Sequence, residues 1–179
     1  LTNNVTTSIT NNNTLPGVYG SANGCDELLV VQCGPTSGST TLNNTFPAAV
    51  GDQDTRVVWL KAAAGNGSTN RNYGNFFYNI VAKENTGVQI DAGTGNQFYS
   101  LDLRSINNGT SPNTTPTAIK ILNQCPTTSL TNQGNHFYGV NFGSSNTRHI
   151  DLGNNLNWID ADVTRSKAVV TSPTFDQKS

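Results

Sequence analysis

Apolar side chains alternate with polar ones in four short segments: residues 75–82 (NFFYNIVA), 96–103 (NQFYSLDL), 135–142 (NHFYGVNF) and 157–163 (NWIDADV). Alternation of this kind is the signature of a strand with one buried face. The lead aromatics Phe77, Phe98, Phe137 and Trp158 are separated by 21, 39 and 21 residues. The spacing predicts stacked coils of about 21 residues, with the middle interval lengthened by enlarged corners at about 106–116 and 123–134. Aligned this way, Tyr78, Tyr99, Tyr138 and Ile159 form one inward column. Ile80, Leu101, Val140 and Ala161 form the next, and Ala82, Leu103, Phe142 and Val163 a third. Asn79, Ser100, Gly139 and Asp160 would face outward, as would Val81, Asp102, Asn141 and Asp162.

A second strand is expected in each coil. Residues 87–91 (GVQID) match 147–151 (TRHID) at an offset of 60, with 118–122 and 167–171 in the equivalent places. No segment carries a 3.6-residue apolar period, so a helical repeat is excluded. One coil cannot bury its apolar face alone, and stacking supplies both a core and a backbone ladder. Asn75, Asn96 and Asn135 precede the aromatics and predict a ladder of side-chain amides, broken at Leu156. Upstream the repeat fades. Residues 56–61 (RVVWLK) fall one period earlier, which puts Val57 and Trp59 in the inward columns, and residues 28–31 (LLVV) read as a further strand.

The expected organisation is therefore all-β: a single-chain right-handed parallel β-helix over 51–171, an N-terminal arm and irregular capping segment over 1–50, and a tail over 172–179. The quoted Asn-x-Phe-Tyr segments, with Ile90-Asp91-Ala92-Gly93 and Ile150-Asp151-Leu152-Gly153, resemble the right-handed β-helix superfamily of phage tailspikes and pectate-lyase-like enzymes. The resemblance covers roughly residues 56–171. Its motifs are turn and core signals, so it implies the fold and carries over no catalytic residue.

Composition sharpens this picture. Only 34% of residues are hydrophobic and 12% charged, while Asn occurs 26 times. Asn tolerates left-handed backbone and bonds its own main chain, so the excess reads as many tight corners. A net charge of −1 gives no electrostatic case for nucleic acid or an anionic membrane. No run of about 18 apolar residues exists that would insert into a membrane. The start at Leu1-Thr2-Asn3-Asn4 reads as a processed or excised product. Of three cysteines, Cys25 and Cys33 could form a disulfide; the alternative is three reduced, buried thiols including Cys125. Six N-x-[ST] sequons, at Asn4, Asn12, Asn43, Asn66, Asn108 and Asn113, fall in expected loops or the N-terminal arm.

Candidate chemistry is sparse. Asp102, Asp160 and Asp162 are the carboxylates that could form a glycan-cleaving cluster. Outward aspartates that only protect the flank are the alternative. Asn79, Asn141, Arg148 and His149 are candidate glycan contacts, the last two suited to an anionic sugar. Asp91 and Asp151 end equivalent strands and read as Asx turns or weak metal ligands. No metal site and no cofactor are expected, since no CxxC, HExxH or P-loop is present. The expected function is host attachment by a tailspike- or fibre-like module, extracellular or on a virion, that binds surface polysaccharide and associates as a trimer. The alternatives are a secreted polysaccharide hydrolase or lyase, and a glycosylated structural subunit of a surface layer or filament.

Overall fold

The computed structural model describes residues 12–21, 27–33, 40–52, 56–62, 71–83, 86–104, 117–121, 134–142, 148–151, 159–163 and 176–177. Among these every regular element is a strand. In chain order they are β1 (Val18–Ser21), β2 (Glu27–Cys33), β3 (Thr40–Leu42), β4 (Thr45–Phe46), β5 (Ala49–Asp52), β6 (Arg56–Ala62), β7 (Arg71–Tyr73) and β8 (Phe76–Ala82). The second half holds β9 (Thr86–Ile90), β10 (Gly93–Thr94), β11 (Gln97–Leu103), β12 (Thr117–Ile121), β13 (Asn135–Phe142), β14 (Arg148–Asp151), β15 (Ile159–Val163) and β16 (Asp176–Gln177).

All pairing among these strands is parallel, in three sheets. Sheet A has the order β1-β5-β8-β11-β13-β15-β16, with β4 also on β8; sheet B runs β14-β12-β9-β6-β2; sheet C runs β10-β7-β3. From β1 to β11 the chain visits A, B and C in a fixed rotation and advances one place in each sheet per cycle. Strand ladders thus begin upstream of residue 51, and β16 adds a rung within the segment expected as a tail.

The core is a set of rows running across the strands. Phe46, Phe77, Phe98 and Phe137 stack with centroids 4.7, 4.7 and 4.6 Å apart and planes within 9°. The second row of sheet A is Ala49, Ile80, Leu101 and Val140. Sheet B contributes Leu29, Val58, Val88, Ile119 and Ile150, then Val31, Leu60, Ile90 and Ile121. All of these join one buried cluster. Burying a side chain of this size is worth about 1.5–3 kcal/mol, so the rows account for the strands' cohesion.

Four expectations are corrected by the register. First, strict alternation fails within the sheet A strands. Phe77 is buried while Tyr78 and Asn79 both face outward, before Ile80 turns in again. The cause is backbone: Asn79 (φ 51°), Ser100 (φ 59°) and Gly139 (φ 64°) are left-handed, and one such residue reverses the parity of the strand. The tyrosine column is therefore outside and the phenylalanine column inside.

Second, the coil length is not constant. Stacked phenylalanines lie 31, 21 and 39 residues apart, whereas sheet B partners from Glu27 through Arg56, Thr86, Thr117 and Arg148 differ by 29 to 31. The expected enlarged corners lie outside the described residues, apart from Gly134.

Third, Arg56–Ala62 pairs with β9 in sheet B rather than heading sheet A. Val57 is buried, as expected, but Trp59 is only half-buried.

Fourth, two later registers slip. Phe137 pairs with Ala161 and Val140 with Val163, across an irregularity, so the place beyond Phe137 in the aromatic row falls to Ala161; Trp158 lies outside the described residues. In sheet B, Ile150 lies beyond Ile119 and Val88, and Asp151 pairs with Lys120 rather than falling level with Asp91. A slip of two residues keeps inside and outside unchanged, which is why apolar pattern alone could not detect it.

Candidate functional site: the outer faces of sheets A and B

A left-handed corner residue stands two positions before β4, β8 and β11 and directly before β13, and another lies upstream of β1. Asn12, Asn43, Gly74, Gly95 and Gly134 all have φ between 53° and 65°. At Gly74 a Cβ would also come within 2.9 Å of the Asn43 Oδ1. The next residue in every case is an asparagine: Asn13, Asn44, Asn75, Asn96 and Asn135. From Asn44 onward, each one's side-chain oxygen accepts from the asparagine one coil earlier. Asn44 donates its N–H and Nδ2 to Asn75 at 3.0 and 3.0 Å, and Asn75 does the same to Asn96. Asn96 donates to Asn135 at 3.1 and 2.9 Å. The remaining amide hydrogens reach the Thr41, Asn72 and Gly93 main chain or hydroxyl. Asn44, Asn75, Asn96 and Asn135 are fully buried, a placement that only saturated hydrogen bonding makes tolerable.

The expected three-member amide ladder is thus present and longer by two. The members missed in the sequence sit in 12–18 (NNTLPGV) and 43–49 (NNTFPAA), which match 74–80 (GNFFYNI) position by position. The signal was available as Asn-Asn-Thr-(Leu/Phe)-Pro at a spacing of 31. In that alignment the sequon residues Asn12 and Asn43 are the left-handed corner residues, and both are exposed. The sequons at Asn4, Asn66, Asn108 and Asn113 lie outside the described residues.

On its outer side, sheet A carries a second aromatic row. Tyr78 and Tyr99 stack at 5.0 Å, and Tyr99 and Tyr138 at 4.9 Å. Tyr78 and Tyr99 are half-buried and Tyr138 is 38% exposed. Gln97 accepts the Tyr99 hydroxyl hydrogen, and the His136 ring lies nearly parallel to that of Tyr138 with centroids 6.0 Å apart. Burial, and then the neighbouring Tyr138 and Tyr78 phenols, push the Tyr99 hydroxyl above its ordinary pKa. Alongside runs the exposed column of Asn79, Ser100 and Gly139, where Asn79 Nδ2 donates to the Pro47 carbonyl at 3.1 Å. One row further, Asp102 lies opposite Asn141, which is exposed.

The candidate site residues separate. Asn79, Asp102 and Asn141 share the outer face of sheet A. Asp102 is committed to Arg104, which donates from Nε at 2.8 Å and Nη2 at 2.6 Å; these bonds hold the carboxyl below the usual range despite partial burial. Asp160 is level with His136 rather than with Gly139, so the expected column from Asp102 through Asn141 to Asp162 is not formed. Arg148, His149 and Asp151 belong to β14 in sheet B, apart from Asn79 and Asn141. The side chains of Asp160, Asp162, Arg148, His149 and Asp151 fall outside the described set, as do Cys25, Cys125 and the side chain of Cys33. Among the described residues no group of three His, Cys, Asp or Glu side chains could hold a metal. No helix among them is long and apolar enough to cross a membrane.

Asp91 has a setting that its sequence did not reveal. It is 5% exposed on the outer side of sheet B. Its Oδ2 accepts from Trp59 Nε1 at 2.6 Å and its Oδ1 from Gln89 Nε2 at 2.9 Å. Gln89 Oε1 accepts from Arg56 Nε at 2.8 Å, and both the Arg56 guanidinium (4.3 Å) and the Lys61 ammonium (4.2 Å) lie over the Trp59 ring. Such cation–π contacts contribute about 0.5–2 kcal/mol each. Burial raises the Asp91 pKa; the Gln89 and Trp59 hydrogen bonds and the Arg56 and Lys120 charges offset part of that rise.

Fold and surface together define an all-β protein of cyclically visited parallel sheets, with aromatic and amide rows inside and an open tyrosine row outside. Comparison with protein-family models, curated proteins and solved structures finds no match.

Proposed function

We propose that the three sheets are the faces of one right-handed β-helix, and that this rod is an attachment module binding a surface glycan along the outer face of sheet A. The observation that carries the reading is the Tyr78–Tyr99–Tyr138 row beside the exposed Asn79, Ser100 and Asn141. Tyrosine offers an apolar ring with a polar tip and loses little conformational freedom on binding, which suits a surface alternating C–H and O–H groups. The stacked rings spend their faces on one another, so a sugar meets ring edges, phenol hydroxyls and the neighbouring amides. Side chains repeat at about 4.8 Å along the stack, which gives a chain molecule several equivalent contacts at once. Placement on a virion or cell exterior, and association of rods as trimers, belong to the same proposal.

The test is a screen of host-surface polysaccharides and oligosaccharides against the full chain and its Tyr99→Ala and Tyr138→Ala variants. Binding that falls about tenfold or more in either variant, with the ligand recovered intact, supports attachment. Silence across the screen overturns it. Attachment is favoured over the hydrolase or lyase reading by one contact: the Asp102 carboxylate, a candidate for that chemistry, is held by Arg104.

A further inference from the structure

The outer face of sheet B holds a hydrogen-bonded chain that the glycan reading does not use. It runs from Arg56 Nε–H to Gln89 Oε1, from Gln89 Nε2–H to Asp91 Oδ1, and from Trp59 Nε1–H to Asp91 Oδ2. Its donors and acceptors are locked. An indole can only donate, a guanidinium can only donate, and an ionised carboxylate can only accept. Gln89 must therefore turn its oxygen to Arg56 and its nitrogen to Asp91. Both Gln89 and Asp91 are at most 5% exposed, leaving little room for water to substitute.

A proton on Asp91 does not fit this arrangement. On Oδ2 it opposes the Trp59 N–H. On Oδ1 it opposes the Gln89 amide, and the conflict is relieved by rotating that amide so that its oxygen accepts the new O–H. The rotation turns the Gln89 NH2 toward Arg56 Nε–H, donor against donor. We propose that Asp91, Gln89 and Arg56 form a proton-operated latch between the β6 and β9 coils, in which protonation of Asp91 breaks the Gln89–Arg56 bond.

Among the described residues, charged groups meet this latch from two neighbouring strands. Arg56 and Lys61 come from β6 and Lys120 from β12. In backbone register Glu27 of β2 pairs with Arg56, and Asp151 of β14 pairs with Lys120. Burial raises the Asp91 pKa, and with it the pH at which the latch opens. The linkage runs in the same direction. A carboxyl whose pKa is higher in the folded chain binds its proton more tightly there, so its contribution to stability is full below the unfolded pKa and is lost as pH rises through the folded one. Acid therefore opens one contact without unfolding the coil around it.

Heteronuclear NMR of the full chain tests the latch, following the Arg56 Nε–H, the Trp59 indole N–H and the Asp91 carboxyl carbon across a pH titration. The Arg56 signal should move with the same midpoint as the Asp91 carboxyl. Asp91→Asn places an amide NH2 and one oxygen where the protonated acid would be, so it should hold Arg56 at its acid-limit shift at every pH. Gln89→Met is the second variant: Arg56 should be released throughout while Asp91 still titrates. An Arg56 signal that stays flat through the Asp91 titration overturns the proposal. So does one that titrates unchanged in Asp91→Asn, which would assign the effect to Glu27 or another carboxylate.

Discussion

Asn75 and Asn96 are joined twice, the Asn96 side-chain oxygen accepting both the main-chain N–H and the amide of Asn75 at 3.0 Å each. Replacing Asn96 by alanine would strand two buried donors at roughly 1–3 kcal/mol each. It would also remove the bonds Asn96 makes to Asn135 and Asn72. Asn96→Ala is expected to cost about 3 kcal/mol or more in urea unfolding, and a loss under about 1 kcal/mol would show that the ladder is dispensable. Asn96→Asp should also destabilise, because a carboxylate cannot donate onward to Asn135.

Phe98 stacks between Phe77 and Phe137 with no solvent exposure. Phe98→Ala opens a cavity in the centre of the row and should cost about 3–5 kcal/mol. Among the described residues the same row reaches upstream to the partly buried Leu15, where the repeat carries an aliphatic residue in place of the ring. Phe98→Leu should therefore cost less than the alanine change, with the thermal midpoints falling in that order.

Gly93 lies where three elements crowd together. A Cβ there would stand 2.8 Å from Ile90 Cγ2, 2.9 Å from Asn96 Nδ2 and 3.2 Å from Leu60 Cδ1. Gly93→Ala should destabilise by about 1–3 kcal/mol through overpacking. Hydrogen exchange should speed up at the Asn75 and Asn96 amides, because the clash falls on the ladder. Unchanged exchange at those two sites would count against this origin.

The Asp102–Arg104 pair sits at the surface, with 35% and 65% of the two side chains exposed. Because the Asp102 carboxyl is held low in the folded chain, its contribution is present above the unfolded pKa and is lost as pH falls through the folded one. Solvent screening keeps it small. Asp102→Asn should cost well under about 1 kcal/mol at neutral pH and should flatten the acid limb of the stability curve slightly. A large loss would mean that Asp102 has another role on this face.

The inner rows from Ile80 to Phe142 were legible in the sequence because each was marked by an apolar residue at constant register. So was the asparagine ladder, since its members precede those rows at one fixed position. What could not be read was parity and phase. The reversal at Asn79, Ser100 and Gly139 depends on a backbone angle that three different residue types adopt, so no shared letter announces it. The slip at Ile150 moves the strand by two and leaves its apolar pattern intact. The coils at Asn13 and Asn44 went unseen because proline occupies the place of tyrosine there, and an aromatic search passes over it. Asp91 read as a turn residue because the partners that bury it lie 32 positions away, at Trp59, or on its own strand at Gln89.

Every amide in the asparagine row points the same way, from Asn13 through Asn44, Asn75 and Asn96 to Asn135. The row accordingly has two ends that are chemically unlike: among the described residues each asparagine offers donors that its successor in the row receives. A ribosome delivers those successors in the required order. Each arrives within a few tens of residues, so the protein can assemble as a zipper closing behind the point of synthesis, with loop closures short for a parallel sheet. A circularly permuted chain would retain every contact and lose that schedule.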